Sequence, residues 1–145
     1  MQKDSSIAAV YGVDQKTKVT RPLFLSGVSA GFPSPAEDYI DRKLDLNELL
    51  IKNPAATFFV RVAGDSMTGA GINHDDILIV DRSLEPVSGK IVIAVINGEL
   101  TVKKLLIDDK CCRLVAENPD YGPLEISPET DCEIWGVATS VIHSL

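Results

Sequence analysis

Beyond residue 55 the hydrophobic positions fall into short runs at 57–62, 77–80, 91–96, 100–107, 112–116 and 133–142. Turn-forming segments such as Pro86-Val87-Ser88-Gly89 and Asn118-Pro119-Asp120-Tyr121-Gly122-Pro123 separate them. The runs are short and rich in β-branched and aromatic residues, so they predict strands. Residues 1 to about 30 keep no two-residue or 3.6-residue period and predict an irregular arm. Between arm and strands, Ser34-Pro35-Ala36-Glu37 reads as a helix start, with Ser34 capping, Pro35 in the first turn and Glu37 completing the capping box. Asp45-Leu46-Asn47-Glu48 repeats that signal for a short helix, which Asn53-Pro54 ends. The expected architecture is a mostly β domain with short helices leading into it and a flexible N-terminal arm.

One pair of runs predicts its own register. Asn97-Gly98 tolerates the positive φ angles of a type I′ turn and so joins 91–96 to 100–107 as a hairpin. Ile96 then faces Glu99, Lys103 faces Val92 with Ala94 beside it, and Lys104 faces Ile91 with Ile93 beside it. A lysine among such neighbours loses water, and desolvation disfavours an ammonium ion. Upstream, the strand Thr57-Phe58-Phe59-Val60-Arg61-Val62 is broken by Gly64 just before Asp65-Ser66-Met67. A serine hydroxyl there is a weak nucleophile until a base takes its proton, and a desolvated lysine is such a base. Periodicity does not choose between Lys103 and Lys104. His74 is a further candidate base, because catalytic triads assemble in space rather than along the chain. The bland alternative also stands: a serine after Gly-Asp commonly shapes a turn and a strand lysine is commonly solvated. On that reading the chain is a non-catalytic β binding module, such as a polymerase accessory subunit.

Composition narrows the field. At 145 residues the chain fits one domain able to bury a core without disulfides. With 14 Lys and Arg against 21 Asp and Glu, the net charge of −7 argues against direct DNA binding through the phosphate backbone. No apolar run is long enough to span a membrane, and Met1-Gln2-Lys3-Asp4-Ser5-Ser6 lacks a signal-peptide core, so the expected location is the cytoplasm. Cys111, Cys112 and Cys132 have no metal-ligand spacing and read as free thiols. His74 and His143 are too few for a persuasive zinc site, and no glycine-rich phosphate loop is present, so no cofactor is expected.

Several ordered blocks carry a resemblance. Gly64-Asp65-Ser66-Met67, Gly71-Ile72, Asp76-Ile77-Leu78-Ile79-Val80-Asp81 and Gly98-Glu99-Leu100-Thr101-Val102-Lys103-Lys104-Leu105 resemble the self-cleaving peptidase domain shared by LexA-type repressors and UmuD-type mutagenesis proteins. The likeness extends upstream through Ala30-Gly31-Phe32-Pro33-Ser34-Pro35-Ala36-Glu37-Asp38-Tyr39 and Asp45-Leu46-Asn47-Glu48-Leu49-Leu50-Ile51. About 30 residues of arm leave no room for a helix-turn-helix domain, which favours the UmuD type. His74-Asp75 departs from the family, which usually ends that turn in Gly-Asp.

The resemblance implies a LexA/UmuD-like β fold, with Ser66 as nucleophile, Lys103 as general base, and backbone N–H groups near Asp65 and Ser66 holding the oxyanion. It implies cleavage of the chain's own Ala30-Gly31 bond, dividing an arm at 1–30 from a peptidase-like domain at 31–145. Ser29, Ala30 and Gly31 are small, as an extended, closely approached substrate requires. The implied partners are a second copy in a homodimer, a RecA nucleoprotein filament that stimulates cleavage, and a UmuC-like Y-family polymerase for error-prone translesion synthesis in the SOS response.

Overall fold

The computed structural model describes residues 4–14, 20–24, 40–109, 111–122, 124–126 and 132–145. They form two compact units, residues 14–52 and residues 1–13 with 53–145. The predicted helix start at Ser34 and the Ala30-Gly31 bond lie outside the described residues.

In the smaller unit, β2 (Thr20–Phe24) pairs antiparallel with β3 (Ile40–Asp45), with Arg21 opposite Leu44. The helix predicted after Asp45 is present as α1 (Leu46–Leu50), because the Asp45 carboxylate accepts from the Asn47 amide at 2.9 Å and satisfies an orphan donor.

In the larger unit the predicted strands appear as β4 (Thr57–Ala63), β5 (Ile77–Asp81), β6 (Ile91–Ile96), β7 (Glu99–Ile107), β8 (Cys112–Val115) and β10 (Cys132–Ile142). Sequence reading missed β1 (Ser6–Gly12) and β9 (Leu124–Ile126). Part of the segment expected to be irregular arm is therefore strand. β1 pairs antiparallel with β4 along its length, with Val10 opposite Val60, through a bulge between Ile7 and Ala9. That bulge and the weak strand preference of Ala8-Ala9 hid it from periodicity.

The sheet order is β1-β4-β5-β10-β6-β7-β8-β9, and β1 also meets β7 where Ser6 faces Thr101. The contact between β1 and β7 closes six strands into a barrel-like ring. Inside, Val60, Val62, Met67, Ile72, Leu78, Val80, Ile93 and Val102 form one buried cluster. Val92, Ala94, Leu105, Leu114 and Val137 form another. Burying each such aliphatic side chain contributes roughly 1.5–3 kcal/mol before entropy is counted. The core therefore fixes the ends of β4 and the middle of β7, where the candidate residues lie.

The β6–β7 hairpin has the expected register: Ile96 faces Glu99, Val92 faces Lys103 and Ile91 faces Lys104. Asn97 and Gly98 carry φ of 51° and 82°, the left-handed values that this two-residue turn demands.

Candidate active site

Ser66 sits on a turn that the core holds at one end. Val60 and Val62 point inward from β4, the strand ends at Ala63, and Gly64 turns the chain with φ 102°. Met67, fully buried in the barrel core, anchors the far side, so Ser66 is pinned between a strand end and a core side chain. Ser66 itself is fully buried.

The neighbouring 73–76 turn supports this one. The Val62 amide donates to the Asp76 carbonyl at 2.9 Å, and the Asp75 amide to the Val62 carbonyl at 2.8 Å. The Gly64 amide donates to His74 Nδ1 at 3.1 Å. His74, a candidate base on sequence grounds, thus spends that nitrogen on the backbone, and its side chain is mostly exposed. Asp75 has φ 69°, a left-handed conformation that Asp tolerates better than most residues.

Lys103 and Lys104 divide as periodicity could not. Lys103 is buried at 7% exposure, whereas the Lys104 side chain is about a third exposed at 34% and pairs with Glu117 at 3.2 Å. Lys103 Nζ donates to Asp4 Oδ1 at 2.6 Å and lies 5.9 Å from the centre of the Tyr121 ring. Burial pushes the Asp4 carboxyl up. Hydrogen bonds with Lys103 and Ser66, the lysine charge and the Ser5 backbone outweigh that and hold it below the ordinary aspartate value. Lys103 and Ser66 therefore meet the same short segment, through Asp4 and through the next residue, Ser5.

Four residues of this site were not singled out from sequence. Asp4 and Ser5 come from the segment read as arm. The Ser5 amide donates to Ser66 Oγ at 2.9 Å, and the Ser66 amide donates to Ser5 Oγ at 3.1 Å. Asn118 and Tyr121 come from a segment read only as a turn. Asn118 Nδ2 donates to the Asp65 carbonyl at 2.9 Å, and Tyr121 Oη donates to Asp65 Oδ1 at 2.6 Å. The same loop grips the other flank of Ser66: the Gly69 amide donates to the Glu117 carbonyl at 2.7 Å, and the Glu117 amide to Met67 Sδ at 3.4 Å. Nothing in the loop's composition signals that it braces residues fifty positions earlier.

A buried serine hydroxyl, a buried lysine amine and the backbone N–H of the serine, all three engaged by the adjacent residues Asp4 and Ser5, form an arrangement suited to acyl transfer. Residues 22–139 match the Peptidase S24-like family. The chain belongs to that family. It is 50% identical over 124 residues to protein ImpA of Salmonella typhimurium, covering 85% of this chain and 83% of ImpA. It is 46% identical over 125 residues to protein MucA of Escherichia coli, covering 86% and 83%. LexA repressor 2 of Xanthomonas oryzae pv. oryzae is 36% identical over 136 residues, covering 94% of this chain and 63% of the repressor. The UmuD-type resemblance drawn from the motifs stands on these matches, and the mostly β fold agrees with it. Membership places this chain among peptidase-family proteins.

Other features of this S24-like chain are plain. Cys111, Cys112 and Cys132 are half-buried and form no disulfide. Among the described residues no His, Cys, Asp and Glu cluster could hold a metal ion, and no helix is long and apolar enough to cross a membrane.

Proposed function

We propose that the chain cuts its own Ala30-Gly31 bond, with Ser66 as nucleophile and Lys103 as general base. The observation that carries this reading is that two buried polar side chains, Lys103 and Ser66, meet the same two-residue segment, the lysine at the Asp4 carboxylate and the serine at the Ser5 amide. Burying a hydroxyl and an amine together costs free energy that a purely structural site recovers more easily with apolar residues. Lys103 in its neutral form takes the Ser66 proton, and Ser66 Oγ attacks the Ala30 carbonyl carbon. The Ser66 amide, with that of Asp65, stabilises the oxyanion. The Lys103 ammonium passes that proton to the Gly31 nitrogen, so the C–N bond breaks and the Gly31 amine that heads 31–145 leaves, while residues 1–30 remain as the Ser66 ester. Water, activated by the same amine, then releases the Ala30 carboxylate and restores Ser66.

Residues 1–30 are on this reading the released arm and 31–145 the processed domain. The protein works in the cytoplasm as a homodimer. A RecA filament on single-stranded DNA stimulates the cut, and the processed form joins a UmuC-like Y-family polymerase in error-prone translesion synthesis. The acidic surface supports a partner-mediated rather than a direct hold on DNA.

Incubation with and without RecA filaments, followed by N-terminal sequencing, tests the reading. The expected product begins at Gly31 and accumulates faster with filaments. Gly31→Val should block it, because a β-branched side chain crowds the backbone on the leaving side. Normal processing of Gly31→Val at that bond would remove the assigned substrate.

A further inference from the structure

The catalytic slot is occupied, and by this chain. Three functions are needed for acyl transfer, and two adjacent residues, Asp4 and Ser5, engage all three. The Ser5 amide donates to Ser66 Oγ at 2.9 Å, so a lone pair of the nucleophile is already accepting a hydrogen bond. Ser5 Oγ accepts from the Ser66 amide at 3.1 Å, so the donor assigned to the oxyanion holds a hydroxyl instead. Asp4 Oδ1 accepts from Lys103 Nζ at 2.6 Å, so the amine assigned as base serves a carboxylate. Ser5 is fully buried, which leaves no room for a second chain at Ser66.

The occupant is seated as an inhibitor and not as a substrate. A substrate presents its carbonyl to the serine, with the carbonyl oxygen on the oxyanion donor. The Ser5 carbonyl points elsewhere, accepting from Thr101 Oγ1 at 2.7 Å and the Val102 amide at 3.3 Å on the β7 edge. What faces Ser66 is an N–H group, which offers no carbonyl carbon for the serine to attack. The segment is also tethered, because β1 continues from it and pairs with β4 from Ser6 to Gly12. Beside it lies a cavity of about 770 Å³, lined by Asp4, Ser5, Leu100, Thr101, Lys103 and Tyr121, large enough for more of a peptide strand.

We infer that the slot between β4 and β7 is a binding site for an acidic peptide strand, filled by this chain's own Asp4-Ser5, which must leave before any scissile bond can enter. The inference rests on the reading of Ser66 and Lys103 as the catalytic pair. Its consequence is a two-state equilibrium: the observed rate is the intrinsic rate multiplied by the fraction of chains with the slot open. Anything that favours the open state, a partner that captures residues 4–12 included, accelerates processing without touching the catalytic groups.

Asp4→Lys in the full-length chain tests this, since it sets a like charge against Lys103, with Asp4→Asn as a milder second variant and Asp4→Glu as the conservative control. Three readouts are taken: fragment formation, labelling of Ser66 by a fluorophosphonate, and hydrogen exchange at the Ser66 and Val102 amides. Asp4→Lys should raise unstimulated cleavage and labelling by about fivefold or more and speed exchange at both amides, with Asp4→Asn intermediate and Asp4→Glu near the native chain. Faster labelling without a fragment beginning at Gly31 would uphold the occupied slot and remove the assigned bond. Faster exchange without labelling in any variant would uphold the slot and remove Ser66 as nucleophile. Exchange, labelling and cleavage that are unchanged or slower in both Asp4→Lys and Asp4→Asn would overturn the inference and make Asp4 a positioning residue.

Discussion

Replacing Gly69 with alanine tests how the site is held. A Cβ there would stand 2.5 Å from the Glu117 carbonyl oxygen and 3.2 Å from its carbon. Carbon–oxygen contacts settle at roughly 3.3–3.6 Å, so the two backbones must part by about 0.8 Å. The constraint is one of space, because Gly69 is not among the positive-φ glycines. The Gly69 amide donates to that same carbonyl at 2.7 Å, and an equal lengthening carries the bond to about 3.5 Å, past useful hydrogen bonding. Losing it costs about 1 kcal/mol and the residual crowding about 1–2 kcal/mol more, giving about 2–3 kcal/mol in all. The displaced loop carries Asn118 and Tyr121, both bonded to Asp65 next to Ser66. Urea unfolding followed by Trp135 fluorescence should show the stability loss, and fluorophosphonate labelling of Ser66 should change with it. A stability change under about 0.5 kcal/mol with native labelling would refute the role given to this loop.

Further outcomes follow from the same geometry. Tyr121 is pushed up to about 12, by burial first and then by the Asp65 hydrogen bond and the charges of Asp65, Asp4 and Asp120. Its contribution to stability is therefore complete below the free tyrosine value of about 10 and is lost as pH rises through about 12. Absorbance titration at about 295 nm should show one late-ionising tyrosine, moved earlier by Asp65→Asn; three tyrosines titrating together near 10 would contradict this. Asp81 is raised by burial but lowered more by hydrogen bonds from Asn53 and Ser83, so its stabilisation is present above about pH 4 and lost as pH falls through its depressed value. Asp81→Asn should cost about 1–3 kcal/mol at pH 7 and progressively less toward pH 2, and a pH-independent cost would be the contrary finding. Lys104→Ala should lose only the partly exposed Glu117 pair, about 0–1 kcal/mol, and keep cleavage, while Lys103→Ala should abolish it. Equal cleavage by the two lysine variants would remove Lys103 as base.

The legible parts of the fold were those whose signal is local. Asn97-Gly98 sets its hairpin because two neighbouring residues carry the required φ angles, and Asp45 caps α1 across two residues. β1 was illegible because its bulge interrupts alternation and its partner strand lies some fifty residues away. β2 was masked by Pro22, which sits poorly inside a strand. At the site, Ser66 was marked by the Gly64 break, but periodicity left the choice of lysine open and only the family resemblance pointed to Lys103. Val92 and Ile93 are both fully buried, so both faces of the hairpin look alike in sequence. What separates the lysines is tertiary: Asp4 and Tyr121 stand by Lys103, and Glu117 by Lys104.

The most direct test of the central claim is intact-mass analysis of the native chain and Ser66→Ala, incubated side by side with RecA filaments. Ser66 is fully buried and its backbone is held by the turn, so Ser66→Ala should stay folded. The native chain should convert to a species beginning at Gly31, and Ser66→Ala should remain full length. A Gly31 fragment from Ser66→Ala, or none from the native chain, would contradict the account.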